Sequence, residues 1–300
     1  MRAAATPPST PPLERSVVLD AVMDDLRARR DADGPRGTAD GTRGRGSQTH
    51  QCARKVALEV GGVRRTVPDN DWSLIAFRIG NQVHDEIQAH LVNLFGARIE
   101  VRVSYKPTFD FSGHADAVHD THPLTGETRE NLVTVEIKSM AQYAFDLATG
   151  TGRSNVAQGP KVEHVLQAAC YANAPQLNSQ YLQLVYYGKD KGRIAEWLLD
   201  MDEPFAPAGG ATPRAMAVAE LERLTKIFSL VDQGVVPAPN VPGVGVVDDP
   251  STLNWPCGYC AHRPTCLQLG TGRSTISAAD SVATALQPAP AFDATEEQPW

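Results

Sequence analysis

Long apolar runs are missing from this 300-residue chain. No stretch approaches the ~20 apolar residues that a bilayer-spanning helix needs. A surplus of positive charge is missing too: 28 lysines and arginines face 35 aspartates and glutamates, a formal net charge of −7. That balance argues against a protein that coats nucleic acid through bulk electrostatics. It does not exclude a nuclease, because an acidic metal site adds negative charge that a bound cation cancels. The cysteines do not form an even set. There are five, and their clustering suits metal ligation better than a disulfide framework. Internal repeats are absent, and the proline-rich opening, Met-Arg-Ala-Ala-Ala-Thr-Pro-Pro, is unlike a signal peptide. These absences lead us to expect a soluble, cytoplasmic protein with no membrane partner.

Four of the cysteines carry most of the remaining information. Cys52 stands alone, whereas Cys257, Cys260 and Cys266 fall within Trp-Pro-Cys-Gly-Tyr-Cys-Ala-His-Arg-Pro-Thr-Cys. Thiolates at these spacings suit a four-thiolate centre, either an iron–sulfur cluster or zinc. The remote partner makes such a centre a clasp between the two ends of a domain. Around Cys52 lie Arg43, Arg45, Arg54, Lys55, Arg64 and Arg65, so one side of the clasp is expected to meet phosphates. For any one of these residues, a solvated surface position is the simpler account.

The chain divides into three parts. Residues 1–46 read as a Pro/Ser/Thr tail, a short helix over 16–30 and a flexible Gly/Asp/Thr/Arg linker over 31–46. Residues 47–268 read as the folded domain, and 269–300 as a disordered tail. Inside the domain, Ile75, Ile79, Val83, Ile87, Leu91 and Leu94 predict a helix over 71–95. Strands are expected over 98–105, 109–119, 131–138, 181–187 and 193–200, and helices over 162–174 and 213–233. Alternation of the two defines an α/β class with a mixed sheet.

Candidate chemistry sits on the strands. In Val133-Thr134-Val135-Glu136-Ile137-Lys138 the side chains alternate faces, which sets Val133, Val135 and Ile137 against Thr134, Glu136 and Lys138. A lone Glu-x-Lys is common on solvated strands. The preceding Gly113-His114-Ala115-Asp116 changes the weighting: if the strands pair, Asp116 and Glu136 face one pocket. Two carboxylates that close repel unless a cation separates them, and oxygen ligands select Mg²⁺ or Mn²⁺. Lys138 would then orient the attacking water or offset charge on the phosphate. His84 flanks the buried stripe of the first long helix, where a lone histidine is more often a core residue than a ligand. Gln167 and Tyr171, four apart, share a helix face. Cys170, between them, reads as a core residue.

The order His84, Gly113-x-x-Asp116, Glu136-x-Lys138, Gln167-x-x-x-Tyr171 resembles the PD-(D/E)xK nuclease superfamily in its RecB-like branch. With Cys52 before the core and Cys-x-x-Cys-x5-Cys after it, the chain is similar to the CRISPR-associated "Cas-four" exonucleases, their phage-borne relatives and the AddB-type nuclease domains. The likeness spans residues 47–268. Where family members often have Cys-Pro-Arg, this chain has Cys52-Ala53-Arg54, which keeps the ligand. The resemblance implies a restriction-endonuclease-like core with a four-cysteine clasp. It implies that His84, Asp116, Glu136 and the carbonyl of Ile137 hold Mg²⁺ or Mn²⁺, that Lys138 assists the water, and that Gln167 and Tyr171 position the site and its DNA. It implies a structural [4Fe–4S] cluster on Cys52, Cys257, Cys260 and Cys266. The activity implied is exonucleolytic cleavage of single-stranded DNA, with CRISPR integrase or recombination proteins as partners and homo-oligomers possible in the family. Two other classes compete: a catalytically inert DNA-end or integrase-binding module with the same fold, and a zinc-clasped interaction protein. The complete Asp116, Glu136, Lys138 set speaks against the first, and the motif order against the second.

Overall fold

The structure, a computed structural model, describes residues 17–33, 41–63, 65, 71–152, 156–242, 245–247, 257–270 and 274–275. Seven helices and six principal strands make up its frame. The helices are α1 (Val17–Asp33), α2 (Ala53–Val60), α3 (Asp71–Phe95), α4 (Gln142–Thr149), α5 (Val162–Ala172), α6 (Pro213–Asp232) and α7 (Arg263–Leu269). The strands are β1 (Gly44–Arg45), β2 (Arg98–Ser104), β3 (Phe111–Thr121), β4 (Thr128–Met140), β5 (Tyr181–Gly188) and β6 (Arg193–Asp200).

The six strands form one mixed sheet, the α/β arrangement expected from the alternating patterns. β2–β3, β3–β4 and β5–β6 are antiparallel, whereas β4–β5 is parallel and is bridged by the crossover through α4 and α5. Helices cover both faces. Val83, Ile87 and Leu91 of α3 pack on Ala117 of β3 and on Val133, Val135 and Ile137, the β4 residues predicted to share one face. On the other face α5 and α6 bury Val165, Ala169, Leu221, Leu224 and Phe228 in the larger core. Cys170 is among these buried residues, as expected of a core cysteine. The start of α6 is set locally: Thr212 accepts a hydrogen bond from the Ala215 amide at 3.2 Å, and Pro213 follows at the first helical position.

Three expectations change. The apolar stripe of α3 is only partly interior: Val83, Ile87 and Leu91 are buried, but Ile79 and Leu94 are 39% and 72% exposed. Its N-terminal half turns Leu74 toward Met23 and Leu26 of α1 instead of toward the sheet, so the buried stripe does not run straight along the helix. The linker expected over 31–46 is also too long. The α1 helix runs on to Asp33, and Gly44–Arg45 pairs in parallel with Phe111–Ser112. Thr42 and Ser112 share a hydroxyl–hydroxyl hydrogen bond at 2.5 Å, and Arg43 pairs with Asp110 at 2.6 Å. The folded part therefore includes residues 41–46, a departure from the boundary at 47. Beyond the expected end at 268, Ser274–Thr275 pairs with Val235–Val236. The first 16 residues, Arg64 and the segments 34–40 and 276–300 lie outside the described residues. Among the described residues, no helix is long and apolar enough to cross a membrane.

Candidate active site

The site opens where β3 and β4 part. Ser104 of β2 and Arg45 of β1 both register with Ser112, so β2 and β1 lie on opposite edges of β3. β4 shares the β1 edge, but its pairing with β3 reaches only Ala117 and Val135. The next residues on the two strands are Asp116 and Glu136. From there β4 continues along β5 alone, from Glu136 opposite Leu184 to Met140 opposite Gly188. Asp116 bridges the gap: its Oδ2 accepts a hydrogen bond from the Ile137 amide at 2.7 Å, in place of a ladder bond.

The predicted residues gather around this opening. His84 of α3 brings Nδ1 to 3.7 Å from Asp116 Oδ1. Lys138 places Nζ 2.5 Å from Glu136 Oε1 and donates to Gln167 Oε1 at 3.3 Å. Gln167 donates in turn to the Tyr171 hydroxyl at 3.5 Å. Tyr171 lies against two glycines. A Cβ on Gly113 would stand 2.5 Å from Tyr171 Cε1, and one on Gly46 would collide with the tyrosine hydroxyl. The glycine of the Gly113-x-x-Asp116 motif thus makes room for Tyr171. Gly113→Ala is expected to displace that ring, costing 1–3 kcal/mol (roughly the range for overpacking) and breaking the Gln167–Lys138 chain. Thermal melting and DNA cleavage should both fall; a variant unchanged in both would remove Tyr171 from the site's architecture.

Glu136 is fully buried; Oε2 has no hydrogen-bond partner among the described residues, and Oε1 meets the Lys138 ammonium at 2.5 Å. Its one close polar contact is the Lys138 ammonium. Burial pushes the Glu136 carboxyl up to about 7, with Lys138 pulling it down and Asp116 adding to the rise. Burial likewise pushes Asp116 up to about 6, against the Ile137 amide and Lys138. Burial alone would lower the Lys138 pKa, but Glu136 and Asp116 outweigh it and hold the ammonium above its ordinary range. His84 is pushed down by burial and by Lys138, which keeps its imidazole neutral near pH 7.

The two raised carboxyls set a pH dependence. In the metal-free protein the folded state holds protons that the unfolded state has released above its ordinary carboxyl pKa. The contribution of these two groups to folding stability therefore falls as pH rises from about 4 through about 7. The loss is on the order of 3 kcal/mol per carboxyl, since each pKa unit is worth about 1.4 kcal/mol. Burial pushes His84, His119, His164 and His262 down, which changes stability in the opposite sense below about pH 6.5. The carboxyl contribution is therefore read as the melting temperature of the wild type in chelator minus that of Glu136→Gln; this difference should fall between pH 5 and 8. A difference that rises or stays flat over that interval contradicts the buried-carboxylate account.

Three neighbours were not picked out from the sequence. Gln88, one turn beyond His84, donates to the Asp116 carbonyl and to Glu100, both at 2.8 Å. Tyr186, in register with Lys138, accepts from the Lys161 amide at 2.9 Å and bonds His164 Nδ1 at 2.8 Å. Burial, with Lys138 and Lys161, lowers His164 to about 3. The ring is therefore neutral. The signal was present: 84 and 88, and 164, 167 and 171, have same-face helical spacings.

The four predicted cysteines also come together. Cys52 immediately precedes α2, Cys257 and Cys260 flank a single 3₁₀ turn, and Cys266 lies on α7. With Arg54, Lys55 and His262 they line one cavity of ≈ 40 Å³. Burial raises the thiol pKa values of Cys52, Cys257 and Cys260; backbone N–H groups of Lys55 and Arg54 oppose this at Cys52, as does that of His262 at Cys260. Among the described residues, no three His, Cys, Asp or Glu side chains stand as a closed metal-binding group. The donor chemistry nonetheless fits: four sulfurs share one cavity, and the Glu136 carboxylate, its Oε2 unpartnered, faces a cation, at present Lys138.

The basic side expected around Cys52 is a correction. Arg54 is 1% exposed; it donates to the Pro237 carbonyl at 2.9 Å, to Cys266 Sγ at 3.5 Å and to the carbonyls of Cys266 and Gly270. It ties α2 to α7 and has no face for a phosphate. Arg45 and Arg65 each pair with Glu59 at 3.3 Å, and Arg43 with Asp110 and Asp232 at 2.6 Å. Sequence proximity showed the cations and concealed the carboxylates that the fold sets against them. Arg54→Ala is accordingly expected to lower stability by a few kcal/mol (about 1–3 for a buried acceptor left unpaired) and to leave the salt slope of DNA binding to the folded fraction unchanged. A slope reduced by about 0.7 with no loss of stability would restore the phosphate contact.

No protein-family model matches the chain, and no curated protein matches it. Among solved structures, the crystal structure of SSO0001 is similar with a TM-score of 0.45 at 15% identity, over 84% of this chain and 96% of that one. An alkaline exonuclease from Laribacter hongkongensis is similar with a TM-score of 0.36 at 14% identity, over 62% of this chain and 90% of the other. At these values the functional reading rests on the site itself.

Proposed function

We propose that the chain is a divalent-metal-dependent DNA exonuclease with a PD-(D/E)xK core. The observation that carries this reading is Glu136: a fully buried carboxylate beside Asp116, with Oε2 unpartnered and Oε1 held by the Lys138 ammonium. Two buried carboxyls with raised pKa values are costly in a purely structural role. They become favourable when a cation shares them. His84, Asp116, Glu136 and the Ile137 carbonyl are the residues that would hold Mg²⁺ or Mn²⁺. When bound, the ion supplies Lewis-acid polarisation of the phosphate and an acidified water.

The chain's own groups then have distinct tasks. Lys138 stays protonated beside its carboxylates and offsets negative charge on the attacked phosphate. Gln167 fixes the ammonium, and Tyr171 fixes Gln167, so the Gln-x-x-x-Tyr motif acts here as a positioning chain. Neutral His84 offers a lone pair toward the ion. The four cysteines are assigned to a [4Fe–4S] cluster, with zinc as the alternative, holding α2 against α7. The DNA reading favours single strands with a free end, in recombination, end processing or CRISPR adaptation.

The test is cleavage of single-stranded DNA labelled at its 5′ or 3′ end, with Mn²⁺, by protein purified without air. Stepwise loss of label from one end supports the exonuclease and gives its polarity. Tight DNA binding without cleavage at any Mg²⁺ or Mn²⁺ concentration would favour the inert module of the same fold.

A further inference from the structure

His262 is 1% exposed, and neither of its ring nitrogens has a hydrogen-bond partner among the described residues. A buried polar group without a partner costs about 1–3 kcal/mol and calls for an explanation. Its position offers one. His262 lines the same cavity as Cys52, Cys257, Cys260 and Cys266. Its main chain is fixed between two of those residues: the His262 N–H serves the Cys260 sulfur, and its carbonyl accepts from the Cys266 amide at 2.9 Å. The imidazole is therefore held at the thiol cluster by its own backbone.

We propose that the His262 imidazole donates a hydrogen bond to a sulfur of the thiolate metal centre and is a positioning residue of that centre. The inference rests on the four-thiolate reading of the clasp. Burying several thiolates is unfavourable unless N–H donors and the metal share their charge. One side-chain donor is already in place, since Arg54 reaches Cys266 Sγ at 3.5 Å. The imidazole N–H is a second, and the apparent waste of burying it disappears once a charged sulfur fills the cavity. A neutral ring suffices, because one of its nitrogens always carries a proton.

The experiment compares the full chain with His262→Phe and His262→Gln, all purified without air. Iron and zinc content is measured first, then the rate at which each protein loses metal to excess chelator. Loss of an outer-shell donor to a metal ligand typically costs 10–100-fold in affinity. His262→Phe should therefore release metal about 10–100-fold faster, and His262→Gln, which keeps an N–H donor, should stay within a few-fold of wild type. Melting of the metal-free proteins gives the opposite sign: His262→Phe should melt no lower than wild type, because an orphaned ring is replaced by an apolar one of similar size. A merely structural histidine would move both forms in the same direction. His262→Leu makes the same comparison if the phenylalanine variant does not fold. Equal release rates for His262→Phe and wild type overturn the proposal, as does a glutamine variant as fast as the phenylalanine one. A wild type holding neither iron nor zinc overturns the four-thiolate reading itself, and this inference with it.

Discussion

Glu136→Ala is expected to reduce metal-dependent DNA cleavage by about a thousandfold or more. The site loses a ligand for an ion asked to supply several kcal/mol of barrier lowering, and each 1.36 kcal/mol is a factor of ten. Asp116→Ala should behave alike, with an added effect: it removes the acceptor that holds the Ile137 amide where β3 and β4 separate. Lys138→Ala should be equally damaging in cleavage but different in binding. It removes the cation now standing against Glu136, so the alanine variant should bind Mn²⁺ at least as tightly as wild type while cutting poorly. Calorimetric Mn²⁺ binding beside cleavage separates the two roles. A Lys138→Ala protein that neither binds Mn²⁺ nor cuts would assign the lysine to folding and not to chemistry.

The second large effect is at the other end of the fold. Cys52→Ala should strip the metal from the clasp and lower the melting temperature by about 10 °C. Cys52 and the Cys257–Cys266 group are separated by about 200 residues, and joining points that distant removes much freedom from the unfolded chain. The binding energy of the metal centre then becomes folding energy, and a few kcal/mol correspond to roughly 10 °C for a domain of this size. Cys170→Ala is the control. That sulfur is fully buried against α6, 4.0 Å from the Ala217 carbonyl. Its loss should cost about 1 kcal/mol of packing and no metal. Metal content and melting of the two variants decide the point. A Cys52→Ala protein with full metal and unchanged melting would contradict the clasp.

How far the sequence spoke depended on whether a signal was periodic or relational. Periodic signals carried over well: the 71–95 helix, the 181–187 and 193–200 hairpin and the 133, 135, 137 face all stand as expected. The structure brings His84, Asp116, Glu136, Lys138, Gln167 and Tyr171 around one opening, an arrangement in which strand alternation sets Glu136 and Lys138 on one face and helix spacing sets Gln167 with Tyr171. What remained hidden needed partners. Arg54 looked like a surface cation until α7 and Pro237 enclosed it. Gly44–Arg45 read as linker because two residues show no period, yet β3 offers them a free edge once β4 has turned away. The function of Gly113 was invisible for a similar reason. Nothing in Gly-His-Ala-Asp tells that a tyrosine 58 positions later needs the space.

The most direct test of the central claim is the release of labelled nucleotides from single-stranded DNA by wild type and Glu136→Ala, side by side, in Mn²⁺ and in chelator. The account predicts release by wild type in Mn²⁺ alone, abolished by chelator and by the substitution. Release by Glu136→Ala at the wild-type rate, or by wild type in chelator, would contradict it.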